Sequence, residues 1–317
     1  MQLPAKSHAP YNPVSVIIPT YNRSWGLKIA IESVLAQTFR DFQLVVVDDC
    51  SSDDTADVVK AFEDSRITYF RQEKNVGMVA NWGTGLTLAT GEFVSFLMDD
   101  DYLRPAFLEN RMKHLAADQN IAAVFSQYEI RDRAGKLVGV HNQQRQEQCR
   151  LDSLGLLAAA LSRQWFVGAT VYRKSAVARA WDSIRQDDLV LDFGLNIQLS
   201  LEQASGGMYI PDNDFVMTTH SGQNSQAKAE QVFGQTSAVL TRLLRQGVQS
   251  SQHALIRREL AQWHIVWGRS LASAGEIQQA QRHFLKAVSA DPFLVWAWRQ
   301  LAVSCVSPAR FQKSTAK

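Results

Sequence analysis

Short apolar runs alternate with helically spaced segments along the first third of the chain. Runs such as Val14 to Ile18 are rich in β-branched residues and lack polar alternation, which is typical of strands buried on both faces. The predicted strands span 14–18, 42–47, 67–70 and 93–98, and the predicted helices span 25–38, 51–62 and 79–89. We expect Gly91 to end the last of these helices. This order predicts βαβ units and an α/β fold, with helices flanking a mostly parallel, Rossmann-like central sheet.

The pattern loosens after Pro105 and becomes almost wholly helical from Glu230. Between them we predict a strand over 123–130, a hairpin or turn over 131–139 and a surface loop over 142–150. The chain therefore divides into a domain over 1–225 and an all-helical appendage over 226–317. Within the appendage, 261–292 fits one tetratricopeptide-like hairpin through Gly268, Gly275, Ala280, Phe284, Ala287 and Pro292. Because stable arrays need about three such units, we expect a single helical hairpin and not a solenoid.

Polar clusters directly follow three of the predicted strands. They are Pro19-Thr20-Tyr21-Asn22, Asp48-Asp49 and Asp99-Asp100-Asp101. Parallel strands end at one edge of a sheet, and ligands of such sheets bind outside the carboxyl ends of the strands. The three clusters should therefore converge on one rim, which predicts a binding site there.

The three consecutive aspartates require compensation by solvent, by basic partners or by a cation, because adjacent carboxylates repel one another. Magnesium and manganese prefer oxygen ligands and are often held by one or two carboxylates plus substrate phosphates. The alternative is an acidic turn that caps the next helix. At the same rim, Asp48 and Asp49 are placed to accept hydrogen bonds from a base or a ribose, and Tyr21 to stack on a base. Plain strand-end turns and ordinary packing are the alternatives for these residues.

Composition narrows the class of protein. The chain has 317 residues, is 46% hydrophobic and carries a formal net charge of +2, which gives no global field that would favour nucleic acid. Its three cysteines are far apart, which argues against structural zinc and against a disulfide scaffold. The first thirteen residues lack the apolar core of a secretory signal, and no run reaches the ~18 apolar residues of a spanning helix. We expect a cytoplasmic protein, soluble or attached to the inner face of a membrane.

Three ordered blocks of sequence resemble the family 2 glycosyltransferases with the A-type nucleotide-sugar fold. The blocks are VSVIIPTYNR (Val14–Arg23), SVLAQTFRDFQLVVVDDCSSDDT (Ser33–Thr55) and NVGMVANWGTGLTLATGEFVSFLMDDDYLRP (Asn75–Pro105). The resemblance is strong over 13–130, weaker to 222 and absent beyond. One departure is visible, because many members carry an aspartate where this chain has Met98.

The resemblance implies a role for each rim residue. The implied donor-binding residues around the base are Pro19, Thr20 and Tyr21, and Asp49 would contact the base with Asp48 beside it. Asn75, Gly77 and Asn81 would form the wall of the site near the nucleotide and the donor sugar. Asp99 would contact the ribose or belong to the metal shell. The implied ligands of a Mn or Mg divalent cation are Asp100, Asp101 and His220. Without an aspartate at Met98, Asp100 would act with Asp101 or nearly alone.

The general base of inverting members is an aspartate or glutamate, and the segment LVLDFGLNIQLSL (Leu189–Leu201) resembles the family's segment with this residue. It makes Asp192 the candidate, with Asp187 and Asp188 as alternatives one turn away and a helix N-cap as the structural alternative for Asp192. The base must deprotonate the acceptor hydroxyl as it attacks the anomeric carbon.

The function implied is an inverting glycosyltransferase of surface polysaccharide synthesis. It would use a nucleoside-diphosphate sugar, with UDP favoured, and a saccharide or lipid-linked acceptor. A catalytically inactive relative that binds nucleotide sugar or serves as a scaffold is one alternative. A sugar nucleotidyltransferase is another, but such enzymes usually carry a Gly-rich loop after the first strand, and here no glycine follows until Gly26. The apolar stretch over 292–306, with Trp296 and Trp298, suggests core packing or else a membrane-surface or homodimer contact.

Overall fold

The structure is a computed structural model that describes residues 13–142, 145–184, 190–202, 206–220 and 229–306. The chain divides into two compact units, 1–221 and 222–317. The assignment of a catalytic and a helical domain with a boundary at 225 stays a prediction.

The described part of the first unit contains twelve strands and seven helices. The strands are β1 (Val14–Thr20), β2 (Phe42–Asp48), β3 (Ile67–Arg71), β4 (Phe93–Phe96), β5 (Tyr102–Leu103), β6 (Ile121–Ser126), β7 (Tyr128–Asp132), β8 (Leu137–His141), β9 (Cys149–Leu151), β10 (Thr170–Arg173), β11 (Gly206–Ile210) and β12 (Phe215–Thr219). The helices are α1 (Ser24–Leu35), α2 (Thr55–Lys60), α3 (Met78–Leu88), α4 (Phe107–Ala117), α5 (Ser153–Leu161), α6 (Lys174–Trp181) and α7 (Leu191–Leu201).

Two sheets organise this unit. The larger has eight strands in the order β3-β2-β1-β4-β10-β6-β11-β9, and β1 to β4 are parallel to one another within it. The smaller has four strands in the order β5-β12-β7-β8. The predicted α/β fold with a mostly parallel central sheet flanked by helices is confirmed.

The central strands are buried along their whole length, as their continuous apolar sequences predicted. Every residue of β1 and β2 is buried, and α1 packs Leu27, Ile31 and Val34 into the same core cluster. Apolar side chains on both faces of the strands are covered by helices, which is the arrangement that keeps a parallel sheet out of water.

A buried ion pair fixes the strand that later reaches the rim. Arg111 of α4 is fully buried, and its Nη1 and Nη2 donate to the two carboxylate oxygens of Asp214 at 2.9 and 2.8 Å. Asp214 immediately precedes β12. A bidentate pair of this kind is geometrically specific, so it sets the position at which β12 begins.

Two predictions about local structure are wrong. Gly91 does not end α3, because the helix stops at Leu88 and Ala89 is already extended. Gly91 instead lies against β1, where an added Cβ would come within 2.8 Å of the Ser15 nitrogen. The single strand expected over 123–130 is two strands, β6 and β7, which belong to different sheets. β6 is apolar whereas β7 carries Glu129, Arg131 and Asp132, but Gln127 is the only residue between the two strands, and no turn residue marks the crossing between sheets.

The second unit is helical wherever the structure describes it. Its helices are α8 (Ala229–Leu243), α9 (Ser250–Ser273), α10 (Ile277–Ala290) and α11 (Val295–Val306). The small residue at Gly268 lets α9 approach α10, because a Cβ there would lie 2.5 Å from the Phe284 ring. Gly275 has a φ of +88° in the turn between these helices, which favours glycine. Among the described residues, no helix combines the length and the apolarity needed to cross a bilayer.

Candidate active site

The segments that follow β1, β2 and β4 contact one another at one edge of the large sheet. The parallel register pairs Thr20 with Asp48, so the two strands end side by side. The Asp49 N–H then donates to the Thr20 carbonyl at 3.0 Å, and the Asn22 N–H donates to the Ser51 hydroxyl at 2.9 Å. Arg23, the next residue along the chain, contacts Asp99 and Asp100, so the predicted convergence of the three polar clusters is present in the fold.

A guanidinium and an imidazole meet the aspartate cluster. Arg23 Nη1 donates to Asp99 Oδ1 at 3.0 Å and to Asp100 Oδ2 at 2.9 Å. His220 Nε2 lies 2.9 Å from the same oxygen of Asp100. The sequence interpretation brought His220 to this cluster but gave Arg23 no role. The need of adjacent carboxylates for a basic partner was the signal that could have identified it.

The two outer carboxylates are buried. Burial raises the pKa of Asp99 to about 6, Asp100 adds to this, and Arg23 and the Thr20 hydroxyl oppose it. Burial and the charge of Asp100 likewise raise the pKa of Asp101 well above its usual range, although Asp101 Oδ1 accepts a hydrogen bond of 2.8 Å from the Thr218 N–H. Excess negative charge held out of water in this way favours the uptake of a cation.

The donor set fits a divalent cation with few protein ligands. Within the part of the chain that the structure describes, no group of three or more His, Cys, Asp or Glu side chains is arranged to hold a metal ion. Asp100 and His220 nevertheless present an oxygen and a nitrogen to one place. One or two protein ligands completed by substrate phosphates is a common arrangement for magnesium, so the residues present fit such an ion.

Asp49 organises the wall beside the rim. Its carboxylate is buried and accepts hydrogen bonds from the Val76 and Gly77 N–H groups at 2.6 and 3.0 Å. Gly77 has a φ of +86°, which a side chain would strain. Asn75 Nδ2 also approaches the Asp49 carbonyl at 3.4 Å. Asp49 thus holds the 75–77 loop, and its contact with a base stays a prediction.

Asp48 and Asn81 are hydrogen-bonded within the fold. The Ser51 N–H and the Tyr69 hydroxyl each donate to Asp48 at 2.8 Å, and its side chain is fully buried. Asn81 Nδ2 donates to the Val47 carbonyl at 2.9 Å. Both side chains therefore stabilise the backbone and side chains around the site, and their contact with a donor stays a prediction.

Aromatic side chains line the outer part of the rim. Pro19 and Thr20 are buried in β1, whereas Tyr21 is 48% exposed. Trp25 is 41% exposed and meets the His220 ring edge-on at 5.2 Å between centroids. The Arg133 guanidinium lies 3.9 Å over the Trp25 ring. The sequence gave no role to Trp25 or Arg133, because only the fold brings the β7–β8 turn to α1.

Asp192 lies in the first turn of α7 and is partly buried. It is not the N-cap, which is Val190. Asn196, one turn later on the same side of the helix, accepts a hydrogen bond from Tyr172 at 2.7 Å and donates to the Trp165 carbonyl at 2.9 Å. These buried bonds fix the rotation of α7 and so the direction of Asp192. The alternatives Asp187 and Asp188 lie outside the described residues.

Tyr128 connects Asp192 to the rim electrostatically. Burial raises the pKa of its hydroxyl, and the charges of Asp101 and Asp192 raise it further. The charges of both carboxylates therefore raise the pKa of the same hydroxyl group. The Tyr128 ring stacks on the His141 ring, with 4.7 Å between their centroids. Tyr128 was missed in the sequence because it looked like one more residue of a continuous strand.

Comparison with known proteins identifies a family whose sequence profile matches this chain. The sequence profile described as Glycosyl transferase family 2 matches residues 15–177, which is just over half of the chain. This stretch includes all three polar clusters of the rim.

Two curated relatives act on lipid-linked sugars, according to their names. The chain is 36% identical over 165 residues to the GalNAc(5)-diNAcBac-PP-undecaprenol beta-1,3-glucosyltransferase of Campylobacter jejuni, covering 51% of this chain and 52% of the relative. It is 38% identical over 117 residues to the UDP-Glc:alpha-D-GlcNAc-diphosphoundecaprenol beta-1,3-glucosyltransferase WfgD of Escherichia coli, covering 37% and 46%. The matched part thus spans about half the length of these relatives.

Solved structures share the fold. The crystal structure of Staphylococcus aureus TarS 1–349 superposes with a TM-score of 0.69 at 18% identity, over 96% of this chain and 90% of that chain, and the same fragment is known in complex with UDP-GlcNAc. The mannosyltransferase PcManGT of Pyrobaculum calidifontis, in complex with GDP-Man and Mn2+, gives a TM-score of 0.61 at 18% identity, over 97% and 86%.

Proposed function

Because the chain belongs to the family 2 glycosyltransferases, we propose that it transfers a sugar from a UDP-activated donor to a hydroxyl of a lipid-linked saccharide. The proposal takes the acceptor class from the two named relatives and the donor base from one relative's name and one neighbour's ligand. The protein would then work at the cytoplasmic face of a membrane, in the synthesis of a surface polysaccharide.

The observation that carries the proposal is the meeting of Arg23, Asp100 and His220 at the carboxyl end of β4. Asp100 is a hydrogen-bonding partner of both other side chains, at 2.9 Å each. A nucleoside diphosphate brings two phosphates that need positive charge at this edge of the sheet. Tyr21 is exposed on the neighbouring segment and would stack on the base.

Asp100 and His220 would hold a Mn or Mg ion. Asp101, whose Oδ1 accepts the Thr218 N–H, would add negative charge next to them. When bound, the ion would supply positive charge to the departing diphosphate. Arg23 neutralises the carboxylates beside it and limits their mutual repulsion. Asp49 holds the 75–77 loop in place beside the rim through its hydrogen bonds to the Val76 and Gly77 N–H groups.

Asp192 would act as the general base. Its carboxylate would accept the proton of the acceptor hydroxyl while that oxygen attacks the anomeric carbon from the side opposite the diphosphate. The result is inversion, which agrees with the β linkages in the names of the two relatives when the donor is an α-linked UDP-glucose. Asn196 and Tyr172 would keep α7 in the rotation that aims Asp192.

The test is a transfer assay with purified protein, a panel of nucleotide sugars and a short-chain polyprenyl-diphosphate-linked GlcNAc acceptor. We expect β-linked product from a UDP-sugar. Asp192→Asn should lower kcat by about 10²–10⁴-fold, the usual contribution of a general base, while UDP binding is retained.

Asp57→Asn is the matched control, because Asp57 is an exposed aspartate of α2 paired with exposed Lys60. It should transfer at the wild-type rate. Product with retained configuration, or unchanged transfer by Asp192→Asn, would refute the proposed mechanism. UDP binding without turnover on any acceptor would instead support the inactive relative.

A further inference from the structure

Helix α11 and the residues before it present an apolar surface to solvent. Phe293 is 93% exposed, Val295 78% and Trp298 51%, and Trp296 and Val303 are also exposed. On a helix, positions 295, 299 and 303 fall on one side, with 296 and 298 flanking it. We call Phe293, Val295, Trp296, Trp298, Arg299 and Val303 the α11 face.

The orientation of α11 is fixed by its other side. Ala297 and Ser304 are fully buried, and Ala297 packs with Ala261, Ile265 and Ala287 of α9 and α10. Trp298 Nε1 donates to the Pro292 carbonyl at 2.9 Å, and the Phe293 N–H donates to Asp291 at 3.1 Å. The helix therefore buries the small residues Ala297 and Ser304, with Leu301 partly buried beside them, while the tryptophans and valines of the α11 face point outward, unlike those of an ordinary surface helix.

The charge of the chain is divided unequally between its two units. Residues 222–317 contain 12 Lys or Arg and 4 Asp or Glu, a net charge of +8, whereas residues 1–221 contain 21 and 27, a net charge of −6. Arg299 of the α11 face is exposed, and so are Arg282 and Lys286 of the preceding helix α10. The single acidic residue over 277–306 is Asp291, and its Oδ1 accepts a hydrogen bond from the Phe293 N–H.

We propose that the α11 face binds the surface of a membrane that contains anionic lipid. Tryptophan and phenylalanine enter the headgroup region favourably, and basic residues next to them are attracted by anionic headgroups. A helix with an apolar outer face and basic neighbours lies in the plane of such an interface without spanning it. An anionic surface supplies both the apolar environment and the negative charge that this unit lacks.

The positive net charge of the second unit and the apolar side chains of the α11 face argue against two other partners, a second copy of the chain and a nucleic acid. A symmetric contact between two copies would bring two units of net charge +8 together, with Arg299 near its own copy. A nucleic acid would satisfy the charge, but its phosphate backbone would leave Phe293, Val295 and Val303 without apolar partners. The inference concerns a surface of the second unit and does not depend on sugar transfer.

The test is cosedimentation of the full chain with vesicles of phosphatidylcholine mixed with phosphatidylglycerol, compared with vesicles of phosphatidylcholine alone. We expect binding to the anionic vesicles and little to the neutral ones. The triple variant Phe293→Ser/Val295→Ser/Val303→Ser should bind the anionic vesicles about tenfold or more weakly, because its apolar contribution is lost. Arg299→Glu should weaken binding and reduce its salt dependence.

The matched control is Leu137→Ser/Val138→Ser, which removes two exposed apolar side chains from β8 in the first unit. It should bind like the wild type, and the circular dichroism spectrum and Tm of every variant should match those of the wild type. Equal binding to neutral and anionic vesicles, or equal binding by the triple variant, would overturn the proposal. A wild-type dimer that the triple variant dissociates, without vesicle binding, would assign the α11 face to a second copy.

Discussion

Removing the carboxylate of Asp214 tests how strongly the fold holds the strand that reaches the rim. Arg111 has no exposed surface, and both of its terminal nitrogens donate to Asp214. Asp214→Ala would leave a buried guanidinium without its counter-charge. Breaking a buried pair by removing one partner costs about 3–5 kcal/mol, so we expect a loss of this size in the free energy of unfolding.

The assay is urea denaturation of the wild type and the variant. With a slope of about 2–3 kcal/mol/M, the loss corresponds to a fall of about 1–2.5 M in the midpoint. Glu32→Ala is the control, because Glu32 pairs with Lys28 at 3.9 Å on an exposed face of α1, where such pairs contribute about 0.5 kcal/mol or less.

The double variant Arg111→Met/Asp214→Ala separates the charge from the packing. Because it removes the unpaired cation, it should be more stable than Asp214→Ala alone. The reasoning fails if Asp214→Ala costs no more than Glu32→Ala. It also fails if the double variant is as unstable as the sum of its two single variants.

Two further predictions concern pH and close packing. Burial, followed by the charge of His283, lowers the pKa of His264 to about 4, and the two Nδ1 atoms lie 3.1 Å apart. Since an unfolded histidine titrates near pH 6.5, the unfolded chain binds more protons below that pH. About 2–3 kcal/mol of stability should be present above pH 6.5 and be lost as the pH falls towards 4. Tm measured across this range should show the loss, and His264→Gln should reduce it; an equal pH dependence in the variant would contradict the assignment. Gly91→Ala should destabilise the protein by about 1–3 kcal/mol in urea denaturation, because its Cβ would meet the backbone of β1 at 2.8 Å. Gly139→Ala, which meets no atom within 4 Å, is its control, and equal stability of the two variants would be the contrary result.

The central sheet could be predicted because its strands are buried on both faces. β1 and β2 are nearly unbroken apolar runs, and the polar residues at their carboxyl ends predicted the position of the rim. The crossing from β6 to β7 could not be predicted, because only Gln127 separates the two strands and no glycine or proline marks the point at which the chain passes from one sheet to the other.

Contacts between distant residues account for what the sequence did not reveal at the site. The Thr218 N–H reaches Asp101 across 117 positions, and Arg23 reaches Asp99 across 76. Such pairings follow from the packing of β12 and α1 and have no local pattern. The same holds for Asp49, whose bonds to the 75–77 loop depend on the positive φ of Gly77.

Calorimetry of UDP binding with and without Mn2+ tests the central claim that Asp100 and His220 form a metal and diphosphate site. We predict binding that manganese strengthens at least tenfold in the wild type and in Asp57→Asn, and that loses this dependence in Asp100→Ala. UDP affinity that neither manganese nor Asp100→Ala alters would contradict it.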